Sequence, residues 1–147
     1  DVFIKSHSIL EGCKIHSNSS IGPSARIRPN TLIEKNVKIG NFVEIKNSIV
    51  GKNTSISHLS YVGDSNIGNN VNIGAGTITC NYDGNKKNKT IIGNNVFVGS
   101  NCSLIAPIVI GVNSTIGAGS VITKNIPKNY LAIERSEVKI IKKKRKK

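Results

Sequence analysis

A six-residue period in the aliphatic residues is the feature that most limits what this chain can form. A fixed short period means that each unit buries its apolar face against its neighbours rather than in a separate core. The chain is therefore predicted to be all-β and repetitive. The aliphatic residues of the period are Ile9, Ile15, Ile21, Ile27, Ile33, Ile39, Ile45, Val50, Ile56, Val62, Ile67, Ile73, Ile92, Val98, Leu104, Ile110, Ile116 and Ile122.

A second, smaller inward position follows four residues after many of these aliphatic residues. It is occupied by Ala25, Thr31, Val37, Val43, Thr77, Val96, Cys102, Ser114 and Ser120. Two inward positions per six residues, with Gly often near the bend, describe a short strand and a sharp corner. Three such strands would close a coil of 18 residues. We predict a solenoid over residues 1–126 and a non-repeating arm with a basic tail over residues 127–147.

The segment from Asn72 to Thr90, NIGAGTITCNYDGNKKNKT, interrupts the period. The pair Asp83-Gly84 is a turn signal, and the residues around it offer no apolar face. We therefore predict a polar loop, residues 80–90, inserted into the regular body. Loops that a rigid scaffold positions often carry binding and catalytic residues.

Charge, cysteines and hydropathy exclude several classes of protein. The net charge is +13, but Lys139 and residues 142–147 supply seven of the 21 basic residues, so the remainder carries 14 basic against 8 acidic residues. The three cysteines show no CxxC spacing, which argues against a disulfide framework or a zinc site. Apolar runs long enough for a membrane span are missing from the sequence. We expect a cytoplasmic protein whose basic tail is solvated.

The spacing of the repeat also predicts an outward column. Ile39, Ile56, Ile73, Val98 and Ile116 are separated by 17, 17, 25 and 18 residues, so they mark successive passes along one edge. Two residues after each of them stand Asn41, His58, Ala75, Ser100 and Ala118. Coils stack about 4.8 Å apart, so His58 to Ala118 spans about 14 Å. A histidine below a run of small side chains predicts a groove for a long, thin ligand.

Other outward polar residues are unusual for the wall of a β-helix. They are Arg28, Glu44, Lys46, Tyr61, Asn72 and Lys87. Several basic groups near a neutral histidine would suit a phosphorylated substrate whose nucleophile must lose a proton. Because Arg28, Lys46, Tyr61 and Asn72 are expected on different edges, we predict that a neighbouring subunit completes the set.

Five segments carry a specific resemblance: ARIRPN, NFVEIKNS, SHLSYVGD, NIGAGTITCNYDGNKKNKT and VFVGSN. They resemble the C-terminal acetyltransferase domain of the bifunctional bacterial enzyme that makes UDP-N-acetylglucosamine. This resemblance runs from about Ile21 to Arg135 and implies a left-handed parallel β-helix of hexapeptide repeats. It also implies that these residues lack the uridylyltransferase activity, so that the chain is expected to be an excised or truncated C-terminal part.

The resemblance implies roles for particular residues. His58 is similar to the general base of the family, with Asn81 and Tyr82 also at the catalytic centre. The residues similar to the sugar-phosphate contacts are Arg28, Lys46, Tyr61, Asn72 and Lys87. Those similar to the acetyl-CoA contacts are Ala75, Asn81, Tyr82, Ser100, Ala118 and Arg135. The irregular backbone at Asn81 and Tyr82 is expected to offer N–H donors to an oxyanion.

The implied activity is transfer of an acetyl group from acetyl-CoA to the amine of glucosamine 1-phosphate, for UDP-N-acetylglucosamine and cell-envelope synthesis. A homotrimer with sites between subunits is implied, and neither a metal nor nucleic acid is required. Three alternatives stay open: another hexapeptide-repeat sugar or amino-acid acyltransferase, a zinc enzyme using His7, His16 and His58, and a nucleic-acid binder that uses the basic tail.

Overall fold

The computed structural model describes residues 1–142, so residues 143–147 of the predicted basic tail lie outside the described part. The described residues form 21 short strands and no helix. In chain order they are β1 (Val2–Ile4), β2 (Ile9–Leu10), β3 (Cys13–Ile15), β4 (Ser19–Ile21), β5 (Arg26–Ile27), β6 (Thr31–Ile33), β7 (Lys38–Asn41), β8 (Glu44–Lys46), β9 (Ile49–Val50), β10 (Ser55–His58), β11 (Tyr61–Gly63), β12 (Ser65–Ile67), β13 (Asn72–Ile73), β14 (Ile78–Cys80), β15 (Thr90–Ile92), β16 (Phe97–Val98), β17 (Ser103–Ile105), β18 (Ile108–Ile110), β19 (Thr115–Ile116), β20 (Val121–Ile122) and β21 (Leu131–Ala132). Within residues 1–142 there is accordingly no helix that could cross a membrane.

The strands build three parallel sheets that enclose one core. Sheet A runs β1-β4-β7-β10-β13-β16-β19-β21, sheet B runs β2-β5-β8-β11-β14-β17-β20, and sheet C runs β3-β6-β9-β12-β15-β18. Consecutive strands of the chain lie in different sheets, and each pairs in parallel with the strand one coil away. This arrangement is a triangular parallel β-solenoid, which confirms the predicted fold class. Strand β21 extends sheet A into the segment predicted as an arm.

The interior is filled by the two inward positions that the period predicts. Ile21, Ile39, Ile56, Val98 and Ile116 stack above one another and are at most 1% exposed. The smaller positions are buried as well, from Ala25 through Cys102 to Ser120. Burying an aliphatic side chain of this size is worth about 1.5–3 kcal/mol, so these columns supply most of the stabilisation.

The first coil departs from the predicted pattern at Ile9. We expected Ile9 to point inward, but it is 56% exposed. Leu10 instead aligns with the buried Ile27 and packs against the core. The prediction was wrong there because two adjacent aliphatic residues compete for one inward position, and only the pairing with β5 decides between them.

An asparagine ladder runs along the edge between sheets C and A. Each side-chain Nδ2 donates to the Oδ1 one coil further on at 3.0–3.1 Å. All of its members adopt positive φ, a conformation that Asn tolerates better than other non-glycine residues. The ladder consists of Asn36, Asn53, Asn70, Asn95, Asn113 and Asn129.

We predict that Asn70→Ala destabilises the fold by about 1–3 kcal/mol, because it removes two side-chain hydrogen bonds and leaves alanine at φ 56°. Asn70→Gly removes the same bonds but tolerates the backbone, so it should cost less. Thermal unfolding of the two variants measures the difference. Equal stability of wild type and Asn70→Ala would contradict a role for the ladder.

Candidate active site

The outward column predicted from spacing is present, and we name its residues Asn41, His58, Ala75, Ser100 and Ala118 the histidine column. Its backbone forms one continuous ladder along the edge between sheets A and B. Leu59 N–H donates to Asn41 O at 3.0 Å, and Gly76 N–H donates to His58 O at 3.3 Å. Above them, Asn101 N–H donates to Ala75 O at 2.7 Å, and Gly119 N–H donates to Ser100 O at 2.8 Å. The seven inserted residues therefore leave the register intact.

Asn41 fixes the protonation pattern of the His58 ring. The Asn41 Oδ1 lies 2.8 Å from the His58 Nδ1, and His58 itself is exposed. An amide oxygen only accepts hydrogen bonds, so Nδ1 is the donor of this bond. In the neutral ring the free lone pair is then on Nε2, which can act as a proton acceptor.

A second group of polar residues lies at the far edge of sheet B, and we name Lys46, Asp64, Asn81 and Lys87 the lysine cluster. Asp64 is only 8% exposed, and its carboxylate accepts hydrogen bonds from Asn47 Nδ2 and Asn81 Nδ2, both at 2.5 Å. Burial alone would raise the pKa of Asp64, but these bonds and the charges of Lys46 and Lys87 hold it below its ordinary value. Asp64 is therefore a buried anion among cations.

Lys46 and Lys87 lie close together. The pKa of Lys46 is below its ordinary value, first because the Lys87 amine lies within hydrogen-bonding range and disfavours a second ammonium there, and second because of desolvation. Asp64 acts in the opposite direction, while Arg28 adds a further repulsive charge. Lys46 and Lys87 thus share the compensation of one buried carboxylate, while Arg28 pairs with Glu44, so three cations face two carboxylates, a setting that favours an anionic ligand.

Gly63 makes room for the side chains of this cluster. A Cβ at Gly63 would lie 2.4 Å from the Tyr61 hydroxyl and 2.5 Å from Asn81 Nδ2. The Tyr61 ring therefore extends over Gly63, and its hydroxyl lies 3.4 Å from Asn81 Nδ2. Tyr61 begins near the histidine column but contributes its hydroxyl to the lysine cluster.

The inserted residues form a short hairpin that delivers Lys87. Asn88 N–H donates to Asn81 O at 2.7 Å, and Asp83 N–H donates to Lys86 O at 3.2 Å. Tyr82 and Lys87 face each other in this antiparallel bridge, so the N–H of Tyr82 points away from the hairpin. The carboxylate of Asp83 accepts N–H bonds from Lys86 and Asn85, and these together with Asn88 lower its pKa to about 2.

The remaining predicted residues lie at separate places around these two groups. Arg28 belongs to the sheet B edge, where its Nη1 contacts Glu44 Oε1 at 3.0 Å. Asn72 is on sheet A, beyond the histidine column. Arg135 lies at the top of that column, where its Nε donates to Ala118 O at 3.0 Å.

One expectation about the edges is corrected. Arg28 and Lys46 were expected on different edges of the prism, but they lie at the same edge of sheet B, Arg28 directly after β5 and Lys46 at the end of β8, whereas Tyr61 begins β11 at the other edge. Asn72 alone lies on another sheet, because β13 follows the corner after sheet C. Within residues 1–142 no three side chains of the usual metal-ligating types converge.

The two groups occupy opposite edges of the sheet B face. His58 and Asp64 lie six positions apart in the chain, or about 15–20 Å at ~3.3 Å per residue. Sequence reasoning missed Asp64 and the role of Asn41. Asp64 could have been suspected because it is an acidic residue in a column whose neighbours, Asn47 and Asn30, are amides.

Comparison with known proteins adds a separate line of observation. A family model described as the GMPPB C-terminal domain matches residues 9–105, and one described as a hexapeptide repeat of succinyl-transferase matches residues 89–124. The bifunctional protein GlmU of Thermodesulfovibrio yellowstonii is 56% identical over 150 residues, covering 99% of this chain and 33% of that protein. GlmU of Ruthia magnifica is 58% identical over 136 residues, covering 92% of this chain and 30% of that protein. The chain thus spans about a third of the length of these relatives.

A solved structure shares the fold at low sequence identity. PerB from Caulobacter crescentus, determined in complex with CoA and GDP-perosamine, is 23% identical and superposes with a TM-score of 0.62. The similarity covers 86% of this chain and 55% of PerB.

We predict that Asn41→Ala mixes the two neutral tautomers of His58 without unfolding the protein, because the acceptor that holds the proton on Nδ1 is gone. Imidazole ¹⁵N chemical shifts should show a single tautomer in the wild type and a mixture in the variant. Asn41→Asp restores an acceptor and should restore the single tautomer. An unchanged spectrum in Asn41→Ala would show that Asn41 does not set the tautomer.

Proposed function

Because the chain belongs to the family of the GMPPB C-terminal domain and is more than half identical to part of bifunctional GlmU proteins, we propose that it is the acetyltransferase part of such an enzyme. These matches confirm the resemblance drawn from the five segments. In this proposal it transfers the acetyl group of acetyl-CoA to the amine of glucosamine 1-phosphate, in UDP-N-acetylglucosamine and bacterial cell-envelope synthesis.

The observation that carries the proposal is the Asn41–His58 pair at the base of the histidine column. An ammonium cannot attack a thioester, so the amine must first be neutral. With Nδ1 bonded to Asn41 at 2.8 Å, Nε2 is the acceptor for the amine proton. The amine nitrogen then forms a bond to the acetyl carbon, the carbon–sulfur bond breaks, and the departing CoA thiolate takes the amine proton from Nε2 and leaves as the thiol.

The upper part of the histidine column suits the acyl donor. Ala75, Ser100 and Ala118 leave the edge free of bulky side chains, and the pantetheine arm is proposed to lie along them. The Arg135 guanidinium, whose Nε donates to Ala118 O at the top of the column, is proposed to bind the phosphates of CoA. In the transition state, the outward N–H of Tyr82 and the amide of Asn81 are the proposed oxyanion donors.

The lysine cluster is the proposed site for the sugar phosphate. Lys46, Lys87 and Arg28 repel one another, and a bound phosphate would supply the missing negative charge. Tyr61 and Asn72 would hold the sugar. Asp64 accepts a hydrogen bond from Asn81 Nδ2 at 2.5 Å, and its negative charge attracts Lys46 and Lys87.

A single chain cannot complete this site. The amine and the phosphate of glucosamine 1-phosphate are on adjacent ring carbons, whereas His58 and the lysine cluster are separated by the width of sheet B. We propose a homotrimer in which sheet B of each subunit faces a three-fold axis. The histidine column of one subunit then lies beside the lysine cluster of the next, with Asn72 at the same junction.

Two features bear on the alternatives. Other sugar amines would fit the histidine column equally well, so the proposed choice of glucosamine 1-phosphate rests on the affinity of the lysine cluster for a phosphate. A cytoplasmic location belongs to the proposal as well, because Cys13, Cys80 and Cys102 are all free thiols. A nucleic-acid binder is disfavoured because aromatic side chains do not alternate with the basic residues.

We predict that the protein acetylates glucosamine 1-phosphate in preference to glucosamine, glucosamine 6-phosphate and amino acids. His58→Ala should lower kcat by about 10²–10⁴, because the general base is lost. Release of free CoA thiol measures turnover, and circular dichroism checks that the variant is folded. Full turnover by a folded His58→Ala protein would refute the assignment of the base, and equal rates with all acceptors would refute the choice of substrate.

We also predict complementation between two inactive variants. Mixed trimers of His58→Ala and Lys46→Ala chains should contain junctions that combine an intact His58 with an intact Lys46. Activity should reappear when the two proteins are dissociated and reassembled together, and not when each is reassembled alone. A proven trimer that shows no recovery would mean that His58 and Lys46 of one site come from the same chain.

A further inference from the structure

Two bulky apolar residues occupy backbone positions that favour small or polar ones. Next to the histidine column, each coil turns through a residue at positive φ. Phe42 has a φ of 55° and Leu59 a φ of 50°. The equivalent turns of the other coils carry His7, Ser24, Gly76, Asn101 and Gly119. A left-handed conformation strains side chains such as Phe and Leu, so folding alone does not explain this choice.

These two side chains are also left in solvent. Phe42 is 60% exposed and Leu59 is 59% exposed. They lie on adjacent coils, about 4.8 Å apart, and directly follow Asn41 and His58 in the chain. Together they form an apolar projection beside the proposed base, at the edge that the proposed assembly turns toward a neighbour.

The opposite edge of the same coils offers a receiving surface. A three-fold axis parallel to the solenoid keeps every residue at its own height, so coils that carry Phe42 and Leu59 must meet the same coils of the next copy. At that height a hollow at the edge of sheet C has Ile49 as its apolar lining residue, and its polar lining residues are Asn30, Asn47, Ser48, Ser65, Asn66 and Lys89. Ile49 is 44% exposed there, and Asn47 is the residue that contacts Asp64 of the lysine cluster.

We propose that Phe42 and Leu59 are the docking anchor for a second copy of this chain, inserted into its hollow around Ile49. This inference rests on the proposed site between subunits and names the contact that aligns it. Docking at this height brings His58 of one copy beside the lysine cluster of the other. The strain at the two turns is retained because Asn or Gly there would fold well but would not assemble.

The test separates folding from assembly. Phe42→Asn/Leu59→Asn should weaken association at least ~10-fold, since buried apolar anchors dominate such contacts. The isolated chain should be as stable as the wild type or more so, since Asn suits positive φ. Sedimentation velocity over a dilution series, without substrate, measures association, and thermal unfolding at the lowest concentration measures folding.

A reciprocal pair of variants supplies the matched control. Ile49→Lys should weaken association in the same way. Ile91→Lys changes an aliphatic residue of similar exposure, 39%, on the same sheet but at another height, so it should leave association unchanged. Equal effects of the two lysine variants would overturn the proposed hollow.

The remaining outcomes are also decisive. Normal association of Phe42→Asn/Leu59→Asn would overturn the anchor, and a raised KM for acetyl-CoA alone would assign the pair to cofactor contact instead. A wild-type protein that sediments as a monomer would overturn the docking inference. A trimer with the expected variant behaviour but no acetyl transfer to any acceptor would instead refute the proposed function and leave the docking contact standing.

Discussion

The parallel stacking of coils at a fixed register is the constraint on which the rest of the structure depends. Each strand can satisfy its backbone hydrogen bonds only by aligning with the strand one coil away, and the buried aliphatic columns allow no slip without exposing apolar surface. Outward residues are then placed as strictly as inward ones. Asn41 lies beneath His58 for this reason alone, and the 2.8 Å bond between them needs no dedicated loop.

The same constraint explains how the body tolerates an insertion at its centre. The interval from Ile73 to Val98 is 25 residues, yet the two pair in register because the extra residues leave sheet B and return before sheet C. The hairpin is fastened at both ends. Asn81 is bonded to the buried Asp64, and Asp83 organises the turn through three hydrogen bonds. Lys87 is thereby held near Lys46 without help from a neighbouring strand.

The sequence predicts the columns well because a period of six converts directly into position in space. The fold class, the buried positions and the histidine column all follow from counting. Ile9 could not be placed in this way, since Leu10 beside it fits the same interior. The role of Asp64 and the contact between Lys46 and Lys87 could not be predicted from residue spacing either, because they depend on the direction that side chains take at a corner of the prism. The roles of the predicted site residues stay predictions until they are tested chemically.

The electrostatics of the lysine cluster and the geometry of the prism lead to the same requirement. Lys46 and Lys87 share one buried carboxylate, that of Asp64, so the lysine cluster retains positive charge and favours a bound anion. A group that accepts the proton of an amine becomes cationic, and nearby cations disfavour that form. Such a base therefore works better away from the lysine cluster. Placing His58 and the lysine cluster on opposite edges of sheet B keeps the imidazole away from the repulsive charges of its own chain. In the proposed trimer, the lysine cluster beside His58 belongs to a neighbouring chain and would be neutralised by the substrate phosphate when that binds, so dividing the site between chains would separate two functions that impair each other.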